Sequence, residues 1–578
     1  MSEQTAKKFY PVCLLLIIAI SALVSWPLWH AGYYKDDIIN SLIPGHIGLS
    51  EQGFGNFILG AMQSGLDNGR LYPLSVLSST SFFYWFRHLF EYQIIRNLFI
   101  WMSVASFAVF LKKITKSNSA AFLFILLVPL SWSVRDAPDP LTSYAILLPL
   151  VMLFITLTQL FYLQYRNTAR QSWLAGSLLM FICGLCTYEV SIVAFTLLMT
   201  LNARDPDLTV RQQAQEILPF FILLCAYLAI IFILHKLGHT IYDGIQIAIS
   251  PWFYPAFFAQ LSAAFPFSYQ ILGNAKFVGV TSLNPAPLLA LLSTSCVAFY
   301  FLLNQLRLSK KHCVDLILIA LNLMIVPALL IALSLKYQKI VSPGIGYIPV
   351  FIQYFGVGSL LLAMSGWVSA LPSSQGKSFF NFGWSLLLSV LLTLVTATNY
   401  QTINQLNQKL SYNRTLLESA LQHDLLASLP ARASLIEKIY LWNGPEFYWL
   451  NGKIKVAQVL DIYDNKLLPG GKEYNKYLIT SWNYPGSSSG YVLFGPAVQT
   501  QAAPVNNTLM MQTIYLNSPL VFISANNPQE LASILGTLNQ RLHLSTVTSQ
   551  AILQAFNADH SNGFITHLPV AIYPLALK

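Results

Sequence analysis

The sequence predicts an α-helical polytopic membrane protein with a C-terminal α+β domain outside the membrane. Three observations predict it. Only 10% of the residues are charged and 55% are hydrophobic, whereas soluble domains carry roughly 25% charge. Apolar runs of spanning length recur up to residue 397, and threading them in order puts the Lys and Arg clusters on one side, as basic inner loops require. From residue 399 the chain changes to short alternating segments broken by Gly, Pro and Asn.

The net charge of +10 does not mark a nucleic-acid protein, because the cations form no stripe with interleaved aromatics. They set topology instead. Cys13, Cys183, Cys186, Cys225, Cys296 and Cys313 all lie in or beside apolar runs, so no disulfide framework is implied. Cys183 and Cys186 form a CxxC without a neighbouring His or second pair, and read as small buried hydrophobes.

The first apolar run, 9–29, follows Lys7-Lys8 and is long enough to span. Ser25-Trp26-Pro27 is a poor cleavage site, so the run reads as an uncleaved helix. With the lysines inside, the chain emerges near His30 into an outer loop, 30–91, carrying Asp36-Asp37 and then Asn68-Gly69-Arg70-Leu71-Tyr72-Pro73-Leu74. Stretches 54–66 and 74–85 follow Gly and Pro breaks and predict helices lying in the interface.

Residues 92–111 cross inward to Lys112-Lys113, 120–134 cross outward to Arg135-Asp136-Ala137-Pro138-Asp139-Pro140, and 143–163 return to Arg166 and Arg170. Residues 173–201 are too long for one span and are interrupted by Thr187-Tyr188-Glu189, which predicts a helical hairpin with Glu189 near the outer face. Residues 217–234 lead to an outer loop, 235–283, holding Tyr242-Asp243-Gly244 and the run Trp252-Phe253-Tyr254, an aromatic pattern suited to the headgroup level. Residues 285–306 return to Arg307, Lys310 and Lys311, and 316–335 emerge at Lys336-Tyr337-Gln338-Lys339. Two lysines on the outer side oppose the usual bias; they contact lipid phosphate or snorkel at a helix end. Residues 347–371 and 379–397 complete a set of about eleven spans. No internal repeat marks a transporter built from two related halves.

Two domains follow, 1–398 in the membrane and 399–578 outside it. In the second, 401–429 has helical spacing before Pro430; 434–442, 453–460, 477–482 and 491–494 read as strands, and 528–542 as a helix. Its aromatics Trp442, Tyr448, Trp449 and Trp482 read as strand core ahead of sugar platforms.

The chemistry gathers at the outer side. A carboxylate there accepts a proton or holds a metal, and an arginine clamps phosphate oxygens bidentately. The bland readings stand beside these: Asp36-Asp37 as a turn or cap, and Glu189 as a capping acid rather than an intramembrane functional acid.

The acidic pair in the first outer loop, the interface helices, the Gly69-Arg70-Leu71-Tyr72-Pro73-Leu74 step and the many later helices resemble the GT-C superfamily, integral-membrane glycosyltransferases that use polyprenyl-phosphate sugars. Thr187-Tyr188-Glu189 resembles its bacterial branch that glucosylates the O-antigen of lipopolysaccharide. A C-terminal outer domain is also part of that arrangement; the likeness covers the architecture of about the first 400 residues, and the C-terminal domain itself resembles no identified domain. It implies an inverting transfer to a cell-surface glycan or lipid acceptor, on the outer side of a bacterial inner membrane, with the C-terminal domain in the periplasm. Asp36 or Asp37 would be the base or, in metal-dependent members, hold a divalent cation such as Mg²⁺ or Mn²⁺. Arg70, Lys336, Lys339 and Arg135 would meet the donor phosphate. Glu189 would be a second acid, and Tyr188, Tyr242 and Asp243 would line the substrate.

The partners implied are the polyprenyl-phosphate sugar, its acceptor and membrane lipids, without nucleic acid. No P-loop or GxGxxG is present, which fits a lipid-linked donor. A transporter or flippase of lipid-linked glycans is the alternative, and would place charge or broken helices near the midplane. An O-antigen polymerase or ligase would rely on outer-loop arginines, and 235–283 contains none. An assembly scaffold is the remaining alternative.

Overall fold

The computed structural model describes residues 3–407 except 42, 50–52, 137, 145, 206–207, 238–242, 274–284 and 370–373, together with five strands between 433 and 574. Two compact units divide the chain. One holds 1–31, 58–82 and 90–404; the other holds 32–57, 83–89 and 405–578.

Eight helices among the described residues are long and apolar enough to cross a membrane, which makes this an α-helical multi-pass membrane protein. In chain order, the helices begin with α1 (Glu3–Trp29), α2 (Asp36–Asn40), α3 (Ile43–Leu49), α4 (Phe54–Asp67) and α5 (Pro73–Trp85). Gly53 precedes α4, and Pro73 opens α5 at the one helical position where its missing N–H is harmless. Then come α6 (Leu89–Thr115), α7 (Asn118–Leu127), α8 (Leu147–Thr168), α9 (Gln171–Leu185), α10 (Val193–Ala203) and α11 (Val210–Leu237). Beyond them lie α12 (Phe253–Ser262), α13 (Ser268–Ile271), α14 (Pro285–Gln305), α15 (Lys310–Leu333), α16 (Leu335–Ile340), α17 (Val350–Ser369) and α18 (Ser374–Leu406).

The three remaining predicted spans correspond to shorter apolar helices, Asn118–Ser131, Gln171–Leu185 and Glu189–Ala203. The long apolar stretch from Trp173 divides between α9 and α10, as the Thr187-Tyr188-Glu189 interruption predicts. The run at 120–134 is shorter as a helix than expected: α7 ends at Leu127 and a 3₁₀ turn, Val128–Ser131, follows. Pro129 explains this, since it lacks an N–H and its ring collides with the preceding turn. The composition shift at 399 falls within α18 rather than at its end. No Gly or Pro interrupts the chain between Gly383 and Leu406, so nothing there stops a helix.

The strands are β1 (Ala433–Lys438), β2 (Tyr477–Ser481), β3 (Tyr491–Pro496), β4 (Leu520–Ser524) and β5 (Val570–Pro574). They pair antiparallel in the order β2-β3-β1-β4-β5, with Ile436 opposite both Leu493 and Leu520. The strand expected at 453–460, most of the helix at 401–429 and the helix at 528–542 lie outside the described residues, as do Trp442, Tyr448, Trp449 and Trp482.

Lipid offers helices no hydrophobic drive toward one another, so close packing must hold them. At Gly356 of α17, a Cβ would come within 2.9 Å of the Ala320 carbonyl oxygen on α15; the missing side chain lets these two helices approach. By contrast, α11 leaves Leu218, Phe221, Ile222, Ile230 and Ile233 exposed, the face expected toward lipid tails.

Between α7 and α8 the chain runs irregularly through the interior, where every backbone polar group needs a partner. The Asn399 side chain of α18 accepts from the Val134 N–H at 2.9 Å and donates to the Trp132 carbonyl at 3.2 Å. Asp139 accepts from the Leu141 and Thr142 N–H groups, each at 2.9 Å, and from the Thr142 hydroxyl at 3.0 Å. Its other oxygen lies 3.7 Å from the Arg135 guanidinium, both side chains being fully buried. Arg135 also donates to Ser133 O, Ile345 O, Ala263 O and the Tyr354 hydroxyl. Burial pushes the Asp139 carboxyl above the usual range, against the opposing pull of Arg135 and of its hydrogen bonds.

Removing one partner from such a pair leaves an uncompensated buried charge. Arg135→Met is expected to lower stability by about 3–5 kcal/mol, and Arg135→Met/Asp139→Leu to recover part of that loss. Thermal unfolding of the detergent-solubilised chain checks both.

Candidate functional site

The site is built on the turn that closes α4. Gly69 N–H donates to Leu66 O at 2.8 Å and Arg70 N–H to Gly65 O at 3.0 Å, capping the helix. Gly69 has φ +73°, and a Cβ there would stand 3.3 Å from the His235 Cα. The left-handed backbone favours glycine here, and the close approach of α11 would make a side chain tight.

The turn is strapped to the hairpin between α9 and α10. Leu74 N–H donates to Cys186 O at 3.1 Å, and the Tyr227 hydroxyl of α11 donates to Leu71 O at 3.4 Å. On the hairpin, Thr187 and Tyr188 N–H groups fold back onto Gly184 O, and Glu189 opens a 3₁₀ turn. These contacts put the Arg70 guanidinium 3.8 Å from the Glu189 carboxylate and 4.3 Å from the centre of the Tyr72 ring. The two charged side chains are 23% and 28% exposed, so screening leaves the pair worth roughly 0–1 kcal/mol. Its significance is placement.

Arg70, Tyr188 and Glu189 line a cavity of about 700 Å³ together with His235, Phe232 and Tyr337, and aliphatic side chains of α11 and α15 complete its wall. The volume lies within the range of small-molecule sites. The Nδ1 of His235 is buried without a hydrogen-bond partner among the described residues. The Tyr337 ring lies against Tyr347 with ring centres 4.3 Å apart and planes tilted by 35°. Ser334, also in the wall, donates to Gly244 O at 2.7 Å, which holds the loop at Gly244 against α16.

The other sequence-derived residues lie apart from that cavity's wall. Lys336 pairs with Asp243 at 3.2 Å, beside Gly244 at the rim; one residue expected on phosphate and one expected on substrate meet each other. Lys339 lines a different cavity. Arg135 is enclosed with Asp139 and lines neither cavity, so it departs from the phosphate role expected of it. Tyr242 lies outside the described residues.

Asp36 and Asp37 belong to the second unit, where they open α2. Asp37 N–H donates to Tyr34 O at 3.1 Å, and Asp37 O accepts from Ser41 N–H at 3.0 Å. Asp36 is half-buried and Asp37 fully buried. A first-turn acid suits the helix dipole, but complete burial is more than that role needs and is rare for Asp. In the same unit the Tyr34 hydroxyl and Gly32 N–H both donate to Asn407 Oδ1, at 2.6 and 2.9 Å. Among the described residues no three His, Cys, Asp or Glu side chains gather as a metal-ligating group. A cation at Asp36 and Asp37 would thus have that adjacent pair as its acidic ligands among them.

The sequence does not mark His235, Phe232 or Tyr337 as cavity residues. His235 did carry a signal, an ionisable ring at the end of an apolar span; Phe232 and Tyr337 resemble any aromatic near a membrane surface. No protein-family model and no curated protein matches the sequence.

Gly69→Ala is expected to destabilise the turn by about 1–2 kcal/mol and to loosen the Arg70–Glu189 pair. Cysteine cross-linking of Arg70→Cys with Glu189→Cys, with and without Gly69→Ala, checks this: slower cross-linking is the expected outcome.

Proposed function

We propose that the chain is an inverting glycosyltransferase. It moves a sugar from a polyprenyl-phosphate donor to a cell-surface glycan or lipid acceptor, on the outer side of a bacterial inner membrane. The observation that carries this reading is the cavity among membrane helices in which Arg70, Glu189, His235 and two tyrosine rings face aliphatic side chains. A ligand with a polar, hydroxyl-rich end and an apolar tail suits such a wall.

In this reading the acceptor hydroxyl oxygen attacks the anomeric carbon as the bond from that carbon to the phosphate oxygen breaks, with inversion. The hydroxyl proton passes to a carboxylate, and the electron pair leaves with the polyprenyl phosphate. The resemblance gives the base role to Asp36 or Asp37, while the cavity itself carries one carboxylate among the described residues, Glu189; either way the step needs a positioned base. Arg70 meets the charge on the departing phosphate, as a guanidinium fork does well, and Glu189 holds Arg70 and orients the acceptor. Tyr188 and Tyr337 offer faces on which a sugar ring rests. The region from residue 399, with its strands, serves in this reading as a periplasmic α+β domain.

Mass spectrometry of the host's surface polysaccharide tests the proposal. Deletion, Asp37→Asn and Glu189→Gln, each checked for normal membrane levels, are expected to lose the same single sugar substituent. Loss of a general base lowers the rate by about 10²–10⁴-fold. A glycan altered by deletion but unchanged by Asp36→Asn, Asp37→Asn and Glu189→Gln would transfer the role to transport of a lipid-linked glycan.

A further inference from the structure

The short helix α16 contributes to two cavities. Tyr337 faces the one already described, while Gln338 and Lys339 line a second of about 780 Å³. Gln338 is pinned: its amide donates to Ala248 O at 2.6 Å and Ala332 O at 2.7 Å, and its oxygen accepts from the Ser250 hydroxyl at 2.5 Å. The next residue, Lys339, is exposed and makes neither an ion pair nor a hydrogen bond among the described residues. The three other cations expected on phosphate differ, because Arg70, Arg135 and Lys336 each face a carboxylate.

The rest of the second cavity is largely apolar. Trp252, Phe258 and Leu272 line it while remaining 62%, 61% and 47% exposed, with the hydroxyls of Ser262 and Ser342 beside them. A cation without a partner among the described residues, two hydroxyls and open aromatic side chains make a surface for an anionic headgroup with a hydrocarbon chain. We infer that this cavity binds one anionic membrane phospholipid, its phosphate at Lys339 and an acyl chain along Trp252, Phe258 and Leu272. A zwitterionic headgroup would bring a second cation to the same lysine. A free phosphate would leave the apolar wall uncovered.

Native mass spectrometry of the full chain, reconstituted in nanodiscs and released into detergent, reads this directly. The probes are phosphatidylglycerol, phosphatidylcholine and undecaprenyl phosphate. One retained phosphatidylglycerol is expected, preferred over phosphatidylcholine by about fivefold, the effect of one lysine near a charged headgroup. Lys339→Gln and Lys339→Glu are expected to abolish the preference, Trp252→Ala/Phe258→Ala to lower retention of both phospholipids, and Lys377→Glu to change neither. Equal retention of the two phospholipids, or a preference that survives Lys339→Gln, overturns the inference. So does mole-for-mole displacement of phosphatidylglycerol by undecaprenyl phosphate, which would assign the cavity to the donor. The readout is lipid retention, so it stands or falls separately from sugar transfer.

Discussion

The buried pair of Arg135 and Asp139 is the constraint on which one end of the helical unit is built. Irregular backbone inside a membrane protein survives only where its polar groups find partners within the protein. Between α7 and α8, Asp139 supplies acceptors for the turn at Leu141 and Thr142. Arg135 reaches outward to the end of α12 at Ala263, the loop at Ile345 and α17 at Tyr354. Three connections distant in sequence are thereby tied to one guanidinium. A planar group with five donors does this where a lysine would not.

Glutamines extend the same logic toward the cavities. Gln260 of α12 donates to Gln353 of α17 at 3.0 Å and accepts from Tyr347 N–H at 2.7 Å, and Gln353 donates to Met324 O of α15 at 2.8 Å. Gln338 does the equivalent work on α16. These neutral side chains bond backbone groups without burying a charge, so they set the loops at Ala248 and Tyr347 at modest electrostatic penalty. The position of α16 follows, and with it which of its side chains faces which cavity.

The fold was largely legible because its signal is one-dimensional. Spanning length and the distribution of Lys and Arg locate α1, α6, α8, α11, α14, α15, α17 and α18, since the bilayer imposes a length on each. The hairpin between α9 and α10 was equally readable from an apolar stretch too long for one span. The break at Pro129 was written in the chain yet masked by the hydropathy of its neighbours. The continuity of α18 past residue 399 was masked by a change of composition that is not a change of backbone.

The sequence by itself determined the membrane class, the order of the helices and the residue types available at the helix ends, because hydropathy and charge act residue by residue against the solvent. Only the tertiary structure decided which charged groups are occupied and which are offered. Arg135, Lys336 and Lys339 are alike as sequence signals, cations beside an apolar run. Folding enclosed the first with Asp139, set the second against Asp243, and left the third at the edge of an apolar cavity. It also brought His235 and Tyr337 to Arg70 and Glu189. Such pairings depend on distances between helices far apart in the chain, and no local property of a residue encodes them.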